Sequence, residues 1–366
     1  MTPHETPATT PYIFDQDPTS LRTCFSQWQW PAYRADQVLE WVYGHGVCDP
    51  AAMTNLPRDL RAALAQRVRW TSGTVHTAQE ADDGVRKLLI AWHPATVRHP
   101  RNETSHPQTE CVMIPAEDRG RPRRTACVSS QVGCAVGCRF CASGLSGLDA
   151  DLSAGQILEQ VWHLNRQGDE RVTHVVFMGM GEPLANYEQV VKAVRMLTAP
   201  WSFSLSARRI TISTVGLPAQ MRRLADEDLP VTLALSLHAP TDELRRQLIP
   251  WSQYVSIDQL LAAAQDYFHK TGREVTLEYT LMRDVNDRPE HAEALARLAR
   301  VLRCHINLIR YNEVRGLPFA RPATDNVHQF QAILRQASIN THIRASRGRN
   351  IAAACGQLRT EVGNPS

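Results

Sequence analysis

Apolar residues recur at helical spacing in three segments near the start of the chain, DPTSLRTCFSQW, RADQVLEWVYGHG and LPRDLRAALAQRV, the last with its arginines on the polar side. They predict a small helical unit over residues 18–75. Ahead of it, MTPHETPATTPY is polar and proline-rich, so residues 1–17 are expected to form a disordered tail. RKLLIAW and ECVMIP read as the two strands of a β-hairpin within residues 76–115. Their connector, HPATVRHPRNETSHPQT, is rich in Pro, His, Asn and Thr and is expected to be a flexible loop.

The rhythm changes near residue 124. Short β-rich runs follow one another at TACVSS, HVVFMGM, RRITIST, VTLALSLH, EVTLEYTLM, HINLIRYN and THIRAS, most of them trailed by a helical stretch. Strand–helix alternation implies parallel strands with crossover helices. Two helix starts have capping-box spacing, Ser153 with Gln156 and Ser256 with Gln259. About six βα units fall short of the eight of a closed barrel. The expected fold class is therefore α/β, a partial (β/α)6 barrel over residues 116–350 with a small N-terminal helical accessory domain and a C-terminal segment, 351–366. In such barrels the active site lies at the C-terminal ends of the strands, where the motifs below also fall.

Composition narrows the class. No apolar run is long enough to cross a bilayer and none is flanked like a signal peptide, so a cytoplasmic protein is expected. Nine cysteines, clustered and odd in number, argue against a secreted disulfide scaffold and for metal or thiol chemistry in a reducing compartment. The net charge of +3 is small, but Arg119, Arg121, Arg123 and Arg124 bunch before the cysteines, and Arg344, Arg347 and Arg349 bunch before Cys355. Such bunches are either a solvated face or a phosphate-binding one.

Four cysteines fall in CVSSQVGCAVGCRFC: Cys127, Cys134, Cys138 and Cys141. Zinc sites rarely use the C-x3-C-x2-C spacing of the last three. Three close thiolates on a loop after the first barrel strand suit a [4Fe–4S] cluster with one iron open to a small molecule. The alternative is a zinc site or a four-cysteine cluster that includes Cys127, which sits seven residues upstream in an expected strand and is poorly placed to curl back. GMGEP, residues 179–183, ends the next strand and by itself could be an ordinary tight turn.

The cysteine spacing, with Phe140 just before the last cysteine, resembles the radical S-adenosylmethionine (SAM) enzymes, and GMGEP resembles that superfamily's GGEP motif. CVSSQVGC, FMGMGEPLAN, ISTVGLP, LALSLHAP, INLIRYN and AACGQL, together with YRADQVLEWVY and MTNLP near the N-terminus, narrow the resemblance to the RlmN/Cfr family of RNA adenine methyltransferases over nearly the whole chain. The resemblance implies a radical SAM barrel, with Cys134, Cys138 and Cys141 as ligands of one [4Fe–4S] cluster and SAM bound at its open iron. It implies SAM contacts from Gly181, Glu182, Ser213, Ser236, Leu237, His238 and Asn312. It also implies two SAM molecules per turnover, one methylating Cys355 and the other cleaved to a radical that removes a hydrogen atom from the S-methyl group.

Adenine C2 is electron-poor and cannot attack a sulfonium methyl as a nucleophile, whereas a carbon radical can add to it. Cys127 would then resolve the protein–RNA adduct by forming a disulfide with Cys355, and Glu110 would accept a proton. Implied partners are 23S rRNA, tRNA beside the anticodon, and an electron donor such as flavodoxin; a monomer is expected. C8 methylation of the same rRNA base is the nearest alternative, and a non-enzymatic iron–sulfur or zinc RNA-binding protein the more remote one. The chain departs from the family pattern at Ala150 and Asp151, where a basic residue and Asn are usual, and in its longer 93–109 loop.

Overall fold

The computed structural model describes residues 10–97, 107–118, 120–145, 147–168 and 171–358. The N-terminal unit contains α1 (Pro18–Gln27), α2 (Arg34–Leu39) and α3 (Arg58–Arg67). Asp17 caps α1 by accepting from Ser20 N, with a proline at the first helical position. The unit's apolar faces, including Phe25, Val38, Leu39 and Leu64, belong to the same core cluster as the barrel. The tail ends earlier than expected. Tyr12, Ile13 and Phe14 are buried, in or beside a short 3-10 turn over Ile13–Asp15. Three apolar side chains within a polar stretch are enough to anchor it; residues 1–9 lie outside the described residues.

Four strands follow as an antiparallel meander: β1 (Gly73–Glu80), β2 (Arg86–Trp92), β3 (Gln108–Asp118) and β4 (Arg121–Cys127). The expected hairpin is β2 with β3. β1 carries no sequence signal, because it is an edge strand exposed along most of its length. The central part of the 93–109 loop, residues 98–106, lies outside the described residues.

Beyond β4, a two-stranded ribbon of β5 (Gln131–Gly133) and β6 (Leu148–Asp151) flanks the cysteine loop and the short α4 (Ala142–Leu145). The barrel continues as α5 (Ala154–Asn165), β7 (His174–Phe177), α6 (Tyr187–Thr198), β8 (Ile210–Thr214), α7 (Pro218–Ala225), β9 (Thr232–Ser236), α8 (Asp242–Leu248), α9 (Ile257–Thr271), β10 (Val275–Leu281), α10 (Pro289–Ala299), β11 (Cys304–Arg310), α11 (Thr324–Gln336) and β12 (Thr341–Arg344). From β4 to β12 every neighbouring pair is parallel. One ten-stranded sheet runs β1-β2-β3-β4-β7-β8-β9-β10-β11-β12, so the barrel is open and the meander widens it. Six strands of this sheet, β4, β7, β8, β9, β10 and β11, are each followed by helix before the next strand of the sheet, as expected. Both expected capping boxes form, at Ser153 and Ser256.

Glu159 on α5 fastens the N-terminal unit to the barrel. Fully buried, it accepts from Tyr12 Oη, Ser72 N (2.9 Å), Gly73 N (3.0 Å) and His163 Nε2 (3.2 Å). Alanine there would leave two backbone N–H groups and a buried hydroxyl unpaired. Glu159→Ala is expected to lower the unfolding free energy by about 3 kcal/mol in urea titration, and Glu159→Gln, which keeps an acceptor oxygen, by less.

Candidate active site

The site is built on the seam between the end of β4 and the turn after β7. Val128 N donates to Val176 O (3.0 Å), Gly179 N to Val128 O (3.1 Å) and Ser130 N to Met180 O (2.9 Å). The Ser129 hydroxyl donates to Glu110 O (2.7 Å) and accepts from Met180 N (2.9 Å). This seam explains GMGEP. A Cβ on Gly179 would lie 2.7 Å from Ser129 Oγ, and Gly181, at φ +103°, would meet Gln131 Cβ at 2.7 Å.

Gln131 pins the turn from the other side. Its Oε1 accepts from Glu182 N (2.8 Å) and its Nε2 donates to Asp151 Oδ1 (2.7 Å). Ala150 is buried in β6. Of the two residues that depart from the family pattern, Asp151 thus reaches the Glu182 turn through Gln131. The Glu182 carboxylate accepts from Leu184 N (2.9 Å) and Val215 N (2.8 Å), tying the turn to the end of β8; burial nevertheless pushes its pKa up.

Cys134, Cys138 and Cys141 line one cavity at the C-terminal ends of the strands, together with Cys355. Cys134 N donates to Gly147 O (2.9 Å), and Gly133, at φ +74°, allows that approach. Burial pushes all three thiols up, Cys134 to about 12, and Cys138 further because Cys141 and Cys134 face it. Among the described residues no three His, Cys, Asp or Glu side chains close around a single metal-ion position. Three cysteine sulfurs lining one cavity are the donor type that an iron–sulfur cluster takes. The donor set therefore fits the group that the sequence implies.

Gly181, Glu182, Ser213, Ser236 and His238 line the same cavity, and Ser213 Oγ lies 3.2 Å from Ser236 Oγ. Leu237 is fully buried and contributes its backbone, N donating to Glu278 O (3.1 Å). Asn312 is engaged elsewhere: its Nδ2 donates to Cys355 O (3.2 Å) and its Oδ1 accepts from Arg321 (3.2 Å).

His238 adopts φ +58°, its Nδ1 accepts from Thr280 N (3.0 Å), and burial with Arg245 nearby lowers its basicity to about 3. Because the folded value lies below the unfolded value of about 6.5, the neutral ring's stabilisation is complete above the unfolded value and is lost as pH falls towards 3. From pH 7 to 5 the unfolding free energy is expected to drop by about 2 kcal/mol through this group. His238→Asn, which tolerates positive φ and keeps an acceptor, should flatten that pH dependence in urea titrations.

Cys355 sits on a strap, residues 352–358, docked by Ala142 N to Gly356 O (2.8 Å) and Ser143 Oγ to Leu358 O (2.5 Å). The residue is exposed and lines the cavity, and surrounding protein and then Glu278 push its thiol up. Beneath the strap lies Cys127, buried with Val112, Met180, Ala353 and Leu358. Burial and then Cys355 raise its thiol strongly, which places the two sulfurs within electrostatic reach. All nine cysteines are free, so the implied Cys127–Cys355 disulfide is not among the bonds of this structure. A bridge between buried, neutral thiols requires oxidation and is no part of the resting fold.

Glu110 does not line this cavity. It is buried in a neighbouring one, 2.7 Å from Lys87 Nζ, and the strap stands between the two spaces, with Ala352 and Gln357 lining the second. Sequence reading missed Lys87, Gln131 and Glu278. It also missed Arg245, fully buried on α8, which donates to the carbonyls of Val215 (2.6 Å), Leu237 (3.2 Å) and Ser236 (3.3 Å) and so holds the ends of β8 and β9 together. An arginine in DELRRQL reads as a solvated helix face, and nothing local marks it as buried.

A model of the radical SAM superfamily matches residues 128–299, and one of the ribosomal RNA large subunit methyltransferase N-terminal domain matches residues 12–69. The chain is 42% identical over 333 residues, 90% of its length and 86% of the other's, to a probable dual-specificity RNA methyltransferase RlmN of Rhodopirellula baltica. It is 43% identical over 339 residues, 90% of its length and 93% of the other's, to the ribosomal RNA large subunit methyltransferase N of Nitrosopumilus maritimus. The crystal structure of a radical SAM methyltransferase from Sphaerobacter thermophilus superposes with a TM-score of 0.89 at 42% identity, covering 95% of this chain and 99% of that one.

Proposed function

This chain belongs to the RlmN family of radical SAM RNA methyltransferases, and from that premise we propose that it methylates C2 of an adenosine in 23S rRNA, and in tRNA beside the anticodon, through an S-methylated Cys355. The observation that carries this reading is that the Cys355 thiol and the three clustered cysteines line one cavity, with Cys127 directly beneath the strap.

Cys134, Cys138 and Cys141 would hold the cluster, and Gly181, Glu182, Ser213, Ser236, Leu237, His238 and Asn312 would bind SAM. When bound, the cluster and SAM supply a one-electron route to a carbon radical able to take a hydrogen atom from a methyl group. Cys355 would carry the methyl group, with two SAM molecules used in each turnover. Once the adduct has given up its unpaired electron to the one-electron carrier, Cys127 attacks the Cys355 sulfur as a thiolate and a sulfur–sulfur bond forms. The pair of the broken carbon–sulfur bond passes to the carbon, which takes up a proton to become the methyl group, and an external thiol or electron donor reduces the disulfide before the next turnover. Glu110 accepts the proton that leaves the attacked carbon, which requires the strap to shift so that the two cavities join.

Asn312 links the two halves of the cycle, since the side chain assigned to SAM also holds the Cys355 carbonyl. Arg310, Arg321 and Arg349 supply phosphate contacts. Arg349 and Arg310 both lie close enough to Arg321 that, after burial, they lower its basicity. No helix among the described residues is long and apolar enough to cross a membrane. A monomer acting in the cytoplasm with a reductant such as flavodoxin completes the reading.

Anaerobic reconstitution with iron, sulfide, SAM and dithionite tests the chemistry. The natural protein should bind iron and form 5′-deoxyadenosine, and Cys138→Ala should lose most of its iron and form none. Full iron binding by Cys138→Ala would remove that residue from the ligand set.

A further inference from the structure

One buried acid of the cavity has no part in the steps above. Glu278 lies midway along β10, beside Ser236 of β9 and Asn307 of β11. It is 6% exposed and lines the cavity shared by Cys355 and the three clustered cysteines. Asn307 Nδ2 donates to its Oε1 (2.9 Å). Among the described residues its Oε2 has no hydrogen-bond partner, and no lysine or arginine forms an ion pair with it. A carboxyl group that lines a cavity with one oxygen bonded to Asn307 and the other unbonded is free to pair with a ligand that enters.

We propose that Glu278, steadied by Asn307, reads the target adenine by hydrogen-bonding its exocyclic amino group and N1. Oε1 has a lone pair left beyond the Asn307 bond and accepts from the amino group, while Oε2 carries a proton and donates to N1. Burial favours the protonated acid, against the weaker opposing pulls of Asn307 and Arg344. The hold also accounts for position on the ring. C2 is bonded to N1, so an adenine gripped at N1 presents C2 near the cavity wall from which Cys355 projects, and C8 lies across the ring. Guanine, which bears an amino group on C2, has no free carbon there.

This inference rests on the adenosine-C2 reading above, and the experiment separates the two. RNA carrying adenosine at the target position is compared with RNA carrying purine riboside there, which lacks the amino group. Both equilibrium binding and kcat/KM are measured. The natural protein should prefer adenosine by about 10- to 100-fold. Glu278→Leu should bring the ratio close to one. Glu278→Gln, whose amide presents an acceptor and a donor in the same places, should keep most of it; Glu278→Met replaces the leucine variant if that does not fold.

An undiminished preference in Glu278→Leu overturns the proposal. So does its collapse in Glu278→Gln, which would make the ionised carboxylate the working form. Cys355 S-methylation, run with SAM and no RNA, distinguishes the other adenine present: equal loss there in Glu278→Leu would assign the residue to SAM and overturn the proposal. Failure of the C2 reading looks different, with the natural protein leaving Cys355 unmethylated or marking another carbon.

Discussion

Replacing Cys355 with alanine is expected to lower RNA methylation by at least about a thousandfold while leaving bound iron unchanged, because it removes the atom that carries the methyl group rather than one that positions it. The other thiols in reach cannot substitute. Cys134, Cys138 and Cys141 are assigned to the cluster, and Cys127 is buried under the strap among Val112, Met180 and Leu358. Cys355 alone combines an exposed position with a thiol that lines the cavity. The measurement is radiolabelled methyl transfer to RNA alongside iron analysis and 5′-deoxyadenosine. Residual methylation within tenfold of the natural protein would show that Cys355 is not the carrier.

Cys127→Ala is expected to behave differently, and the difference decides how the CVSSQVGCAVGCRFC cysteines divide. Cys127 ends β4, shares an apolar cluster with Ala353 and Leu358 of the strap, and is not among the residues lining the cavity. Its loss should leave iron content intact and allow attack on RNA, but remove the thiol that displaces the adduct. The expected result is RNA covalently held at Cys355, visible as a slow band in denaturing gels, with turnover limited to less than about one methyl per protein. Loss of iron in this variant would make Cys127 a cluster ligand instead.

The strand–helix rhythm from residue 124 was legible because parallel barrel strands are buried on both faces and read as apolar runs, as in the wholly buried β10. β1 was hidden by its exposure at the sheet edge, and β5 with β6 by their shortness inside a glycine-rich loop. Of the residues the local motifs pointed to, the three cysteines, Gly181, Glu182 and Cys355 line one cavity. Gln131, Arg245 and Glu278 were not legible, since their meaning lies in long-range contacts to Asp151, to Val215 and to Asn307. Glu110 was recognised as a residue but not by place. Its confinement with Lys87 behind the strap depends on how residues 352–357 lie between two cavities, which no spacing along the chain encodes.

The central claim, that a methyl group travels through Cys355 to adenine C2, is tested most directly by mass spectrometry of nucleosides after reaction with methyl-deuterated SAM. A methyl group that loses one hydrogen atom on the protein before it meets the base must arrive short of label. The expected product is 2-methyladenosine whose methyl group lacks one deuterium, with that deuterium found in 5′-deoxyadenosine. A fully deuterated methyl group, or 8-methyladenosine in its place, would contradict it.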